Sequence, residues 1–287
     1  MKKTLLVVLT AITMTAFWSC SNSTSTQSKQ TAEPTDSTCC RFSNIRQTNR
    51  MQYINEEGDT CYIHNTVRIF WPEVVNGKPC PVLQQALMGD LVDSAGITRI
   101  DQVVGCLLDC NTPDGNERKS LKTVTAFPDE MPHLSTSNVN VQLKELGQRL
   151  LTYHIYFDTY MAGAAHGIYA NQYATYDLKN EKMVYLADIV ADTTQLRTLI
   201  LRSIKEEYHY DIDDLLLPEG NQLPMPSDFY IDGQVLHAVY QVYDIASYAQ
   251  GMIDAPIYPY MINAKGMSNL FTPYGKELLD LVDWTSD

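Results

Sequence analysis

The 287-residue chain is acidic, with 34 Asp and Glu against 21 Lys and Arg, a formal charge of −13, and 45% hydrophobic residues. That apolar fraction excludes a disordered or low-complexity chain. The charge argues against nucleic acid, whose phosphates require a basic patch, and favours basic partners.

Met1–Ser19 has the three parts of a secretory signal: Lys2 and Lys3, the apolar run Leu5–Phe17, and the small residue Ser19 before Cys20. A Cys at this point resembles the lipobox of bacterial lipoproteins, where the thiol is lipidated and becomes the new N-terminus; Phe17 and Trp18 depart from the usual pattern. A conventionally cleaved signal is the other reading. The run is shorter than the roughly 20 apolar residues that span a bilayer. Loss of Lys2 and Lys3 takes the mature charge from −13 to −15. Residues 20–38 read as a flexible polar tether. The tether lacks the acidic cluster that resembles a surface-export tag, so the expected location is the bacterial cell envelope, on the periplasmic side or at the outer membrane.

Six further cysteines, Cys39, Cys40, Cys61, Cys80, Cys106 and Cys110, all precede residue 111. An even count in an exported chain predicts disulfides, and adjacent Cys39 and Cys40 are predicted to bond different partners. The first third is therefore expected to be disulfide-rich. No Cys-x-x-Cys is present and no histidine lies near Cys106-x3-Cys110, so no metal or cofactor is implied.

Cys39–Asn55 and Cys61–Trp71 read as two antiparallel strands, the second ended by Pro72. Pro79 and Pro81 mark the start of a helix with Val82, Ala86, Leu87 and Leu91 at helical spacing, and a second helix is predicted over Ile100–Cys110. Asn111–Lys122 reads as a loop. Strands follow at Val139–Leu143, Leu151–Tyr160, Ile168–Leu178 and Met183–Leu186. A helix is predicted over Asp192–Tyr208, capped by Thr193 or Thr194, with Leu196, Leu199, Ile200 and Ile204 as its buried stripe. Asp211–Pro226 is a loop. Phe229–Ile231, the turn Asp232-Gly233 and Val235–Val242 make a hairpin, followed by a strand near Met252–Tyr258 and a helix near Gly275–Val282. Without a βαβ rhythm, the fold class is α+β: a largely antiparallel twisted sheet with a few packed helices. The expected organisation is residues 39–150 and 151–287 as two parts packed into one globule. The rear dominates the field, with 18 acids and 7 bases over residues 177–287.

Two segments resemble a known family. The first is Tyr160-Met161-Ala162-Gly163-Ala164-Ala165-His166-Gly167, followed by Tyr176-Asp177 and Leu186-Ala187-Asp188-Ile189. The second is Phe229-Tyr230-Ile231-Asp232-Gly233, then Val242-Tyr243-Asp244-Ile245-Ala246-Ser247-Tyr248-Ala249-Gln250-Gly251. Both are similar to motifs of the RsiV-like envelope domains, known as domains of unknown function 4163 and 3298, over about residues 42–270. In this chain Ala164 replaces a Gly, Asp244 a Glu and Ser247 a Pro. The resemblance implies an exported lipoprotein or ectodomain. Some members form the sensor half of an anti-sigma factor that binds lysozyme, and some are fused to peptidoglycan deacetylases; neither of those attached segments is present here.

His166, flanked by Gly163 and Gly167, is the candidate general base, with Asp158 or His154 as partner. A histidine that merely fixes a bend is the plainer reading, since no Gly-x-Ser-x-Gly, His-Glu-x-x-His or phosphate loop accompanies it. The acidic run Glu206, Glu207, Asp211, Asp213 and Asp214 reads as a solvated helix end rather than a Ca²⁺ loop, because the alternating ligands and central Gly are missing. Sixteen of 18 tyrosines lie between residues 153 and 274; such rings suit either partner contact or sheet packing. The leading expectation is a lipid-anchored envelope binding or sensing module for a lysozyme-like basic protein or cell-wall glycan, with Gly163, His166, Tyr243, Asp244, Tyr248 and Gly251 in its binding surface. The alternative is a peptidoglycan hydrolase using His166.

Overall fold

The computed structural model describes residues 40–93, 96–218, 222–262 and 269–280. The predicted signal, Cys20, the tether and Cys39 lie outside them. Thr38–Asp287 forms one compact unit.

Period-two alternation produces a long front hairpin, β1 (Arg41–Ile54) and β2 (Thr60–Val75). On β2, residues Ile63, Val67 and Ile69 are buried while Tyr62, His64, Thr66 and Arg68 turn outward. The strand runs through Pro72 rather than ending there. A register shift lies beside Pro72, and β5 pairs β2 only as far as Ile69, so the missing N–H costs no ladder bond on that edge. β3 (Lys78–Pro79) folds back on β2 and leads into α1 (Pro81–Leu91). The buried face of α1 is Leu83, Leu87, Met88 and Leu91; Leu87 and Leu91 are buried as predicted, whereas Leu83 and Met88 take the places expected for Ala86 and for Val82, which is 49% exposed.

α2 (Ile100–Leu108) follows, then a 3-10 turn at Glu117–Ser120 and β4 (Lys122–Thr123) on the outer edge of β1. Asn65, fully buried on β2, donates to the carbonyls of Leu108 (2.9 Å) and Cys110 (2.5 Å), which ties the end of α2 to the sheet. β5 (Leu134–Leu146) then lies parallel to β2, the crossover running through α1 and α2. β6 (Leu150–Tyr160), β7 (Ile168–Asp177) and β8 (Lys182–Met183) complete the sheet in the order β4-β1-β2-β5-β6-β7-β8, with β3 on β2. The expected Met183–Leu186 strand is shorter than predicted: from Leu186 the chain turns into α3 (Leu186–Ile189).

One face of this sheet, including Val67, Ile69, Val139, Val141, Tyr153 and Ile155, packs against α1 and α2 as the first core. A second core forms behind it. α4 (Thr193–Tyr208) buries Leu196, Leu199, Ile200 and Ile204 as predicted, against a three-stranded sheet β11-β10-β9. Those strands are β9 (Asp228–Asp232), β10 (Val235–Tyr240) and β11 (Ile253–Ile257). The cap of α4 is Asp192, one residue before the predicted threonines; its Oδ1 accepts from the N–H groups of Thr194 (2.9 Å) and Gln195 (3.0 Å). α5 (Pro259–Ile262) and α6 (Pro273–Leu278) close this core. Residue 150 begins β6, which pairs with β5 in the large sheet, and the two cores divide near residue 183.

The disulfide-rich front is not found. Cys40, Cys61, Cys80, Cys106 and Cys110 are all free. Cys80 contacts the carbonyl of Pro72, eleven positions along β2 from Cys61, roughly 35 Å at strand rise. Cys40 precedes β1 and Cys80 follows β3, the two strands that flank β2 on opposite edges, and neither forms a disulfide. Cys106, on the last turn of α2, and Cys110, just past its end, are both exposed and not disulfide-bonded.

Candidate functional site

The two motifs, far apart in sequence, meet in space. Residues 160–167 of the first form the β6–β7 hairpin tip; the second begins on β9 and its part Val242–Gly251 forms the loop between β10 and β11. The hydroxyl of Tyr248 donates to the carbonyl of Gly167 at 2.9 Å, across 81 positions of chain. Its ring stacks on His166 with centroids 4.1 Å apart and planes 25° apart. Tyr169 meets Tyr248 edge-on at 5.9 Å and Tyr243 lies 5.8 Å away.

Backbone geometry explains why these residue types stand here. A Cβ on Gly167 would lie 2.8 Å from the Thr159 carbonyl oxygen, so only glycine lets the hairpin close. Gly163 and Gly251 have φ of 85° and 80°, in the left-handed region. Tyr243 shares that region with φ 71°, although it is a bulky residue, and such strain concentrates at functional positions. Asp244 holds the strained turn: its Oδ2 accepts from the Gln241 N–H at 2.7 Å. Ile245 and Ala246 are fully buried and anchor the loop, while Tyr243 is 52% and Met161 63% exposed.

His166 is exposed, and its Nδ1 donates to the Gly167 carbonyl at 2.7 Å. Among the described residues it bonds no carboxylate. Asp158, on β6 opposite Tyr169, accepts from Asn138 Nδ2 at 3.1 Å instead. His154 is engaged elsewhere, by Asn171 at 2.7 Å and Gln142 at 3.2 Å, with its ring on Tyr173. The expected candidates Gly163, His166, Tyr243, Asp244, Tyr248 and Gly251 are thus brought together. Asp158 and His154 are not drawn to His166. Near the second core, Glu206 pairs with Arg202, Asp211 with Lys205, and Asp214 accepts from the Asp211 N–H, so the acidic run is spent on its own helix end.

The seam between the cores is polar. The side-chain amide of Gln241 bonds both backbone groups of Asn171, accepting at 2.9 Å and donating at 2.5 Å. Asp228 Oδ2 accepts from the Tyr173 N–H at 2.5 Å, and its Oδ1 accepts from the Phe229 N–H at 2.7 Å. The free edge of β7 is therefore covered by side chains instead of a strand. Burial outweighs those two amides and pushes the Asp228 carboxyl up to about 7. A cleft of about 480 Å³ opens here, lined by Asp90, Gln172, Tyr185 and Asp228 among others. Further along, Asp177 is fully buried and bound by Arg149 (2.9 and 3.1 Å), Asn180 (2.8 Å) and Tyr274 (2.8 Å). Burial alone would raise its pKa; these partners hold it at about 2.

A row that single-residue reasoning missed continues across the seam. Tyr173 stacks on Tyr230 at 4.3 Å, and Tyr230 on His237 at 4.2 Å. Asp254 accepts from the Tyr230 hydroxyl at 2.7 Å and meets His237 Nδ1 at 2.8 Å, with Lys144 Nζ 4.3 Å above the Tyr230 ring. The available signal was alternation on β9 and β10, but the Tyr230–His237 pairing depends on hairpin register.

The fold and site define an α+β protein with a helix-backed sheet joined edge-on to a smaller sheet. A domain described as "Protein of unknown function (DUF3298)" is found over residues 177–258, taking in the second motif and stopping short of the first. The fold is similar to that of a DUF3298 family member from Bacteroides fragilis NCTC 9343, with a TM-score of 0.54 and 15% identity over 83% of this chain and 95% of that one. A DUF3298 family protein from Pseudomonas aeruginosa PAO1 aligns over 81% of this chain and 95% of its own, at 14% identity and a TM-score of 0.48. No curated protein matches this sequence.

Proposed function

We propose that this chain is a binding module of the bacterial cell envelope, lipid-anchored through Cys20, that docks a basic protein of the lysozyme type on the His166–Tyr243–Tyr248 surface. The observation that carries the reading is the convergence of the two motif segments on one aromatic stack, beside an exposed Tyr243 in a strained left-handed conformation. Rigid tyrosines give large contact area at low entropic cost. The formal charge of −13 steers a basic partner toward the molecule.

Calorimetric titration with lysozyme at low and moderate salt, beside soluble peptidoglycan fragments, tests it. Saturable binding that survives moderate salt is expected. Tyr243→Ala and Tyr248→Ala should each weaken it by about 2 kcal/mol, as central aromatic anchors do, with the unfolding midpoint little changed for the exposed Tyr243 and lowered for Tyr248, whose hydroxyl ties the loop to Gly167. Heat that vanishes with salt, or full affinity in both folded variants, removes the proposal. Binding to wall fragments alone replaces the protein partner with glycan.

A further inference from the structure

The open face of the large sheet carries a second feature, distant in register from the motif stack. Asn44, Arg46, Arg68, Phe70, Asn140 and Gln142 line an open groove of about 620 Å³ across β1, β2 and β5, within the size range of small-molecule sites. Arg46 and Arg68 are direct cross-strand partners and both are exposed. Arg50 stands on the same face of β1, opposite His64.

Arg41, Arg99, Arg118, Arg149 and Arg202 each pair with a carboxylate. Arg46, Arg50 and Arg68 pair with none among the described residues, in a chain where acids outnumber bases 34 to 21. Residues 42–54 of β1, 60–72 of β2 and 134–144 of β5 contain no Asp or Glu, and the next acid along β2, Glu73, is taken by Arg41. Like charges directly opposite on antiparallel strands destabilise the sheet. The fold thus keeps an unneutralised guanidinium pair where a single carboxylate would have relieved it.

The neighbours of the pair indicate what neutralises it. Phe70 presents a ring stacked on Phe42 at 4.7 Å, and Asn140 and Gln142 offer amide donors and acceptors along β5. Guanidinium groups grip carboxylate or phosphate oxygens bidentately, amides satisfy hydroxyls, and an aromatic edge or face receives the apolar side of a sugar ring. We infer that this groove binds an acidic saccharide, sugar rings bearing carboxylate or phosphate groups, with Arg46 and Arg68 on the anionic group.

The test is calorimetric titration of the full chain with trigalacturonate, with neutral cellotriose and with inorganic phosphate, together with urea unfolding of the unliganded protein. Trigalacturonate should bind saturably, at least tenfold tighter than cellotriose or phosphate, and Arg46→Gln or Arg68→Gln should weaken it at least tenfold. Without ligand, both variants should unfold at the wild-type urea midpoint or above it, because the repulsion is gone. Absence of saturable trigalacturonate binding overturns the inference. Equal affinity for cellotriose shows that no anion is read, and equal affinity for phosphate shows that no sugar is read; either overturns it too. A lowered midpoint in both variants would make the arginines structural and overturn it as well.

Discussion

The front and rear of the molecule solve the burial problem differently. In front, strands of 10 to 16 residues put one face on α1 and α2 and leave much of the other open. At the rear, strands of 5 or 6 residues wrap a single 16-residue helix, and nearly every apolar residue is spent on the core. Long strands supply surface that stability does not need, so outward polar and aromatic residues there are available to meet partners. The short-stranded unit has little surplus, and its contribution to recognition is a loop, Tyr243–Gly251, anchored at Ile245 and Ala246. Each core is apolar within itself, while the contacts joining them at Gln241, Asp228 and Asp177 are hydrogen bonds and ion pairs. Apolar burial stabilises each part without direction; directional bonds set how the parts meet.

The sharpest way to break this pairing is at Asp177. Replacement by Ala leaves Arg149, among the described residues, with only the exposed Glu277 as partner and frees Asn180 and Tyr274, at a cost of about 3 kcal/mol. Urea unfolding should show it as a large fall in midpoint, and a split into two transitions would show the cores uncoupling. An unchanged midpoint would mean that the knot carries nothing. Because the folded Asp177 titrates at about 2, below its unfolded value of about 3.9, its contribution is fully present above pH 4 and is lost as pH falls toward 2.

Asp228, on the same seam, has the opposite sign. Its folded value near 7 lies above the unfolded one, so ionisation penalises the folded state and stability falls as pH rises from about 4 through 7. Asp228→Asn should flatten that slope, measured as unfolding midpoints between pH 4 and 8, while losing one amide bond to Tyr173 or Phe229. A slope that persists in the variant assigns the titration to another group. The smallest effect sharpens the rear alone: Asp192→Ala should cost about 1 kcal/mol as a lost N-cap, whereas Thr193→Ala and Thr194→Ala should change the unfolding free energy by less than half of that.

Much of the fold was legible from short-range pattern. The strands around Tyr153, Ile155 and Phe157, the stripe Leu196–Ile204 and the Asp232-Gly233 hairpin follow from periods of 2 and 3.6 and from turn chemistry, which act within a few residues. Errors fell where two local signals competed or a long-range contact decided. Thr193 and Thr194 are good caps, but Asp192 reaches the first free N–H groups. Pro72 ends strands in general, yet here its edge is unpaired. Six cysteines in the front third suggest staples, but the 16-residue β2 separates Cys61, near its start, from Cys80, which lies against Pro72 toward its other end.

The sequence by itself determined most of the elements, the acidity and the two motif segments, because each is written in neighbouring residues. Only the tertiary structure decided that β2 and β5 run parallel, that Gly167 receives Tyr248, and that Arg46 lies directly opposite Arg68. Those outcomes depend on strand order and register, which are set by how separate segments share two cores. A one-residue slip in any ladder would turn these side chains to the other face.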